Sequence, residues 1–295
     1  PKDEFMINSE IFKAPEVELE GYDALSHEKK IEMDRHRVAW NISQFLHGEQ
    51  GALLVASQLV SCAPTFNAKM YAASQTFDEA RHVEGFNRYL KEKIGFQYPA
   101  TKGLKSLMDK ILTDERWDLK FIGMQIIIEG LALAAFNNMK FILNDGLLKQ
   151  LLHYVIRDEA RHVTFGVNYL EDYLKTLSKS EIEERAEFAF EACLVMRGRL
   201  ISGEVVAKFL DYTPEEADRI AFESDQGQNF RTLLFTKIVP NLKRIGLLTD
   251  NVKEKYEQIG VLSYAELEDN FNIDWAEMSK PYETQEEIEK AIRLV

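Results

Sequence analysis

The pentapeptide Asp-Glu-Ala-Arg-His occurs twice, at residues 78–82 and 158–162. Each copy holds a Glu and a His three residues apart, Glu79 with His82 and Glu159 with His162, a spacing that sets both side chains on one helix face. Two more acids, Glu49 and Glu129, sit inside apolar runs, the second in Ile126-Ile127-Ile128-Glu129-Gly130-Leu131. Glu49 to Glu79 and Glu129 to Glu159 each span 30 residues, and all three ligand types repeat at an offset of 80 (49→129, 79→159, 82→162). Imidazole suits iron and carboxylate suits manganese, so the mixture fits a pair of redox metals. Buried together without a cation, four Glu and two His would form a charge cluster of prohibitive cost. The expected arrangement puts Glu49 and His82 on one metal and Glu129 and His162 on the other. Glu79 and Glu159 then bridge, each reaching the second ion from its own Glu-x-x-His pair.

The rest of the pentapeptide has work in the same scheme. An imidazole ligand usually donates its second N–H to a carboxylate, which fixes its tautomer and orientation. Asp78 and Asp158 are the candidates, acting crosswise, Asp78 on His162 and Asp158 on His82. Arg81 and Arg161 are expected to pair with those aspartates. Residues one turn from the ligands are mostly apolar and mostly core, among them Phe45, Leu53, Ile126, Phe136 and Val163. The residues expected to border a substrate pocket are Phe86, Met124, Gln125, Leu133 and Val155, with Gln75 a further polar exception. His27, His36, His47 and His153 lie off the ligand faces and read as surface or packing histidines.

Four helices must carry the ligands. Ser26 is expected to cap the first, which continues, with a possible break, through Trp40–Leu46. Phe45, Leu46, Ala52 and Leu53 flank Glu49 at −4, −3, +3 and +4, so the acid points into a core. Pro64 disfavours helix in the residue before it and stops this helix near Ala63. Pro64 lies midway between Glu49 and Glu79, and Asn144, in the turn signal Asn144-Asp145-Gly146, lies midway between Glu129 and Glu159. Residues equidistant from an antiparallel turn share one height, here fifteen residues or roughly 22 Å away. A crossover over 95–118 with a short amphipathic piece, Leu104 to Leu112, joins the hairpins. Further helices are expected over 180–210, capped by Ser180, and over 214–238, opening at Pro214, with Pro240 interrupting the chain. The expected organisation is a single domain: an arm over 1–25, a metal-binding core over 26–175, and additional helices and tail over 180–295, including a short acidic helix from Thr284.

The bulk properties narrow the class. The 295 residues suffice for one large core, with 45% hydrophobic and 29% charged residues as in a globular protein. A net charge of −13 argues against a nucleic-acid footprint. The two cysteines, Cys62 and Cys193, form no C-x-x-C, which excludes a rubredoxin or iron–sulfur module on them; both read as packed apolar residues. No signal peptide is read at the charged start, and the most apolar window, Phe121 to Phe136, reads as too short for a membrane span. A cytoplasmic location is the expectation.

The Glu and Glu-x-x-His set resembles that of the ferritin-like di-iron carboxylate superfamily, a four-helix bundle with inward-facing ligands. The doubled Asp-Glu-Ala-Arg-His resembles the D-E-x-R-H motif of bacterial multicomponent monooxygenases. The segments Asp78–Leu90, Ile128–Gly130 and Asp158–Gly166 resemble the ribonucleotide reductase small subunit-like ligand-binding oxidases. The resemblance covers about residues 40–170 and the C-terminal helices only loosely. It implies an all-α ferritin-like fold with flanking C-terminal helices, a two-iron or manganese/iron cofactor, and activation of dioxygen. Four departures limit it. Phe86 stands where the radical-generating reductase subunit has its Tyr, although manganese/iron variants also use Phe. Met124 and Gly51 stand where the ligand-binding oxidases have their crosslinking Tyr and Val. Leu133 replaces the Thr of the soluble methane monooxygenase type, and Val155 replaces the extra His of the arylamine N-oxygenases.

The resulting expectation is an oxygenase or oxidase that uses O2 and reductant to hydroxylate, desaturate or N-oxygenate a small, mostly apolar organic substrate. An external electron donor, a reductase or a ferredoxin, is then required, and a homodimer is a further possibility. Two other readings compete. A non-radical relative of the reductase small subunit is opposed by Phe86 and by the tail, which lacks a terminal Tyr. A ferroxidase or rubrerythrin-like protein is opposed by the long C-terminal half and the missing cysteines.

Overall fold

The computed structural model describes residues 4–198 and 200–283, and the expected acidic helix from Thr284 lies outside them. The described residues are helical, with no sheet and one isolated bridge, Ile7 to Leu143. Helix α1 runs from His27 to Cys62 without the break expected near Trp40; Ser26 caps it, accepting from the Lys29 N–H. Helix α2, Phe66–Tyr89, follows after Pro64 and is capped by Thr65. It passes directly into a π-helical turn, Leu90–Ile94, closed by Gly95 at φ 90°, a left-handed conformation open to glycine. The crossover contains α3, Lys102–Thr113.

The second hairpin begins with α4, Trp117–Phe121, which runs through a π-helical segment, Ile122–Ile128, into α5, Glu129–Ile142. The π-segment ends where Glu129 begins, and such wide turns concentrate at functional sites. Asp145 caps α6, Gly146–Leu174, accepting from the Leu148 N–H. The continuous helix from Trp117 to Ile142 is 26 residues, long and apolar enough by length and composition to cross a membrane, and 94% of its most apolar window is buried inside the protein. The reading of this stretch as too short is therefore corrected. Its apolar character comes from being surrounded on all sides by other helices. Helices α1, α2, α5 and α6, with the π-segment, pack as the four-helix core.

The later helices are more fragmented than their sequence suggests. α7, Lys179–Arg197, is capped by Ser178 rather than Ser180, in a capping box with Glu181. It stops short of 210; α8, Gly203–Phe209, is separate. The expected 214–238 helix divides at Ser224 into α9, Pro214–Glu223, and α10, Asp225–Leu233, because the Ser224 side chain caps a new helix. Pro240 does not interrupt a helix but sits in the first turn of α11, Val239–Arg244, where its missing N–H costs nothing. α12, Asp250–Gln258, and α13, Trp275–Met278, follow.

Buried polar contacts tie these pieces to the core. The Lys120 ammonium, 4% exposed, donates to the carbonyls of Ile111 and Leu112 at the end of α3 and to Gln58 on α1. The Arg185 Nε donates to Asp118 at 2.9 Å, both groups buried, fixing α7 on α4. The arm is held more firmly than a surface strand: Asp34 Oδ2 accepts from the Met6 and Ile7 N–H groups, and Arg37 bridges Asp34 and Glu16.

Candidate metal centre

The core brings all six predicted residues together. Glu49, Glu79, His82, Glu129, Glu159 and His162 lie at the same level of the bundle and are each 5% exposed or less. One oxygen or nitrogen from each of Glu49, Glu79, His82 and Glu159 falls within 4.8 Å of the others, and so do those of Glu79, Glu129 and His162. Glu79 belongs to both groups. Glu159 Oε1 lies 3.2 Å from His82 Nδ1 and 3.9 Å from His162 Nδ1, so it too faces both halves.

Both imidazoles aim Nδ1 at the carboxylates. His82 Nδ1 is 3.3 Å from Glu49 and from Glu79, and His162 Nδ1 is 3.2 Å from Glu79. Their Nε2 atoms point the other way, to the crosswise aspartates: His82 to Asp158 at 3.1 Å and His162 to Asp78 at 3.3 Å. Each arginine then clamps both aspartates. Arg81 donates to Asp78 at 2.6 Å and Asp158 at 2.8 Å; Arg161 donates to Asp158 at 2.6 Å and Asp78 at 3.2 Å. A carboxylate that receives Nε2–H leaves Nδ1 as a lone-pair donor, the tautomer a metal requires.

Burial dominates the electrostatics. It pushes the Glu49 and Glu129 carboxyls well above the usual range, with the Glu159 charge adding to both. Glu159 is raised by burial and by Glu79. Glu79 is pushed up by burial too, but the two imidazoles outweigh it and hold its carboxyl low. Burial opposes charge on His82 and His162, yet the surrounding carboxylates raise both well above an ordinary histidine. Without a cation the cluster is thus compensated by protons.

The donor atoms face one another and little else. Glu129 Oε2 is buried with no hydrogen-bond partner, and Glu79 Oε2, Glu159 Oε1 and His162 Nδ1 meet only the other residues of the cluster. Burying so many carboxylate oxygens against one another is costly without a cation between them. The four carboxylates also match the charge of two divalent ions. The donor set fits a di-metal centre, and an iron pair or a manganese/iron pair is compatible with it.

The sequence reading missed the role of Gln75. Its amide donates to Glu129 at 2.6 Å and Glu79 at 3.1 Å, and accepts from Gln125 at 3.1 Å, so it orients two carboxylates. The signal was present: Gln75 stands four residues before Glu79, on the same face. Phe86, Met124, Gln125, Leu133 and Val155 are all buried, and none of them lines the cavity beside the acids. That cavity, about 10 Å³, is walled by Phe45, Gly48, Ala52, Ile128, Ala132 and Phe136. It is at the lower limit for one ordered water. Small residues one turn from Glu49 and Glu129 make the space, and Phe86 packs behind it against Phe45 and Phe136. The other histidines stay off the site, His36 bonded to Tyr98 and His153 to the Lys280 carbonyl.

An all-helical core carrying two clustered Glu/His sites around a shared carboxylate decides the architecture. The arrangement matches a ferritin-like di-iron carboxylate architecture. No protein-family model matches the chain, and comparison with curated proteins gives no match. The architecture therefore stands on the site geometry and the helices that make it.

Proposed function

We propose that the chain is a non-haem di-iron, or manganese/iron, oxygenase or oxidase that uses O2 and an external reductant to oxidise a small, largely apolar organic substrate. The observation that carries this reading is the convergence of four buried carboxylates and two imidazoles beside an apolar-walled space. Glu49 and His82 would hold one metal and Glu129 and His162 the other, with Glu79 and Glu159 offering carboxylates to both halves. When bound, the metal pair supplies the redox chemistry that dioxygen activation requires. The protein's own part is positioning and exclusion. Asp158 and Asp78 hold the His82 and His162 protons on Nε2. Arg81 and Arg161 keep those aspartates ionised, and the Asp78 carboxyl is held below the usual range, burial being outweighed by His162 and Arg81. Gln75 fixes Glu129, and Phe45, Phe136 and Phe86 keep bulk water from the acids.

Metal analysis tests the ligand set. The wild-type protein should bind two ions per chain, and Glu129→Ala or His162→Ala should lose at least one. Two ions retained in either variant overturns the assignment. Turnover is tested separately, by supplying reductant, O2 and candidate substrates to the iron-loaded protein. Consumption of O2 without oxidised organic product across apolar substrates, together with cage-sized assembly, would favour iron storage instead.

A further inference from the structure

A second, larger cavity opens on the far side of Phe45. It has a volume of about 120 Å³ and lies between α1, α5, α9, α10 and the N-terminal arm. Most of its wall is apolar: Phe45, Met139, Ile142, Val206, Ile220 and Phe230 all contribute. Phe45 lines both this cavity and the small one beside Glu49, Glu129 and Glu159, and is the lining residue they share.

The polar part of the wall holds three arginines, Arg37, Arg197 and Arg231, beside Glu16 and the neutral Asn41, Asn138, Ser202 and Gln226. Arg37 is already matched by Glu16 and Asp34. Arg231 is not matched. It is 3% exposed, and its Nε and Nη1 are buried without an acceptor. Its guanidinium stacks on the Phe222 ring at 3.7 Å, and Arg197, also on the cavity wall, stands 5.5 Å from the same ring. Among the described residues no carboxylate pairs with Arg231 or Arg197. Aromatic stacking returns part of the cost of burying Arg231, but leaves two N–H donors empty beside an apolar space. Guanidinium groups in such settings recognise carboxylates through directed N–H bonds.

We propose that this cavity is the substrate site and takes a small apolar carboxylic acid, its carboxylate on Arg231 and its hydrocarbon end against Phe45. An apolar cavity of roughly 150 Å³ admits benzene, so this one, at about 120 Å³ and open at one side, takes a molecule of about that size, a carboxylate with a short hydrocarbon chain. The assignment as substrate rests on the di-metal reading above; binding of the acid does not. Charge neutralisation at the deep end and a hydrocarbon at the metal-facing end orient the molecule, leaving its least polar atoms nearest the acids.

The test uses hexanoate and its uncharged analogue 1-hexanol on the full-length protein, metal-free and metal-loaded, by calorimetric titration and thermal unfolding. Hexanoate should bind at least about tenfold more tightly than 1-hexanol with or without metal. Arg231→Met should reduce hexanoate to the level of 1-hexanol without lowering the melting temperature of the ligand-free protein, because it removes an unpaired buried charge. Arg231→Lys should recover part of the preference. If Arg231→Met fails to fold, Ala221→Phe, which fills the cavity from a half-buried position, should abolish binding of both ligands. The proposal is overturned if wild-type protein shows no preference for hexanoate, if Arg231→Met keeps that preference, or if Ala221→Phe binds as wild type does. Failure to bind two metals would leave these titrations unchanged, so the two readings fail separately.

Discussion

The carboxylates of this centre are controlled by groups that never need to touch a metal. Gln75 donates to both Glu129 and Glu79, and is itself held by Gln125. Gln75→Leu keeps the volume and removes the donor, leaving Glu129 Oε1 without its shortest contact. Metal affinity should fall by about 10–100-fold, the usual cost of losing such a support, as measured by competition with a chelator. Asp158→Asn tests the opposite side of the site. An amide can present its N–H to His82 Nε2, which moves the ring proton to Nδ1 and turns it toward the carboxylates. A similar loss of affinity is expected, confined to the ion nearer His82. A variant that bound both ions with wild-type affinity would show that the crosswise pairs orient nothing.

Among the elements, those outside the bundle depend on a few polar fixings. Ser178 accepts from the Glu181 N–H while Glu181 returns to the Ser178 N–H. Ser178→Ala should cost about 1 kcal/mol in denaturant unfolding. The pair joining α7 to α4 is buried at both ends, with side chains 7% and 3% exposed. Arg185→Ala strands Asp118 in the interior and should cost about 3–5 kcal/mol. Replacing both residues with apolar ones of similar volume should cost much less, because no charge is left unpaired. The helix from Trp117 to Ile142 has the length and composition of a membrane span and is buried inside the protein. Its apolar sides are covered by α1, α6, α7 and the segment after α10, so composition alone misidentifies what surrounds it.

For the whole molecule the consequence is a stability that depends on metal and on pH. Glu49, Glu129 and Glu159 have folded-state pKa values raised above the ordinary 4.5. His82 and His162 are raised above 6.5. In all five the folded metal-free protein holds more protons than the unfolded chain once pH exceeds the unfolded value. Their contribution is therefore greatest at low pH and is lost as pH rises through the folded values. Glu79, whose value is depressed, contributes the other way and loses its contribution only in acid. The metal-free protein should accordingly melt at lower temperature as pH rises from about 5 to 8. Two bound cations replace those protons, so the metal-loaded protein should lack this fall. Metal affinity itself should rise with pH, because the ligands must shed protons to bind. Parallel melting curves of the two forms across that range would refute this account.

The pentapeptide repeat and the doubled spacing of 30 residues determined which six residues meet in the core, because helical geometry converts sequence offset directly into height and face. Pro64 and Asn144-Asp145-Gly146 determined the two turns for the same local reason. The crosswise aspartates were legible too, since two antiparallel hairpins with one repeated motif bring like positions opposite each other. What local rules do not encode is which face of a neighbour fills a given space. The amide of Gln75 on Glu129, the small residues Gly48, Ala52 and Ala132 beside the acids, and the π-helical run before Glu129 depend on how four helices meet. The division of the C-terminal helices at Ser224 and after Arg197 follows from competing caps and packing that periodicity does not show. Only the tertiary structure placed Arg231, distant in sequence from the ligand helices, on the wall that Phe45 shares with the metal centre.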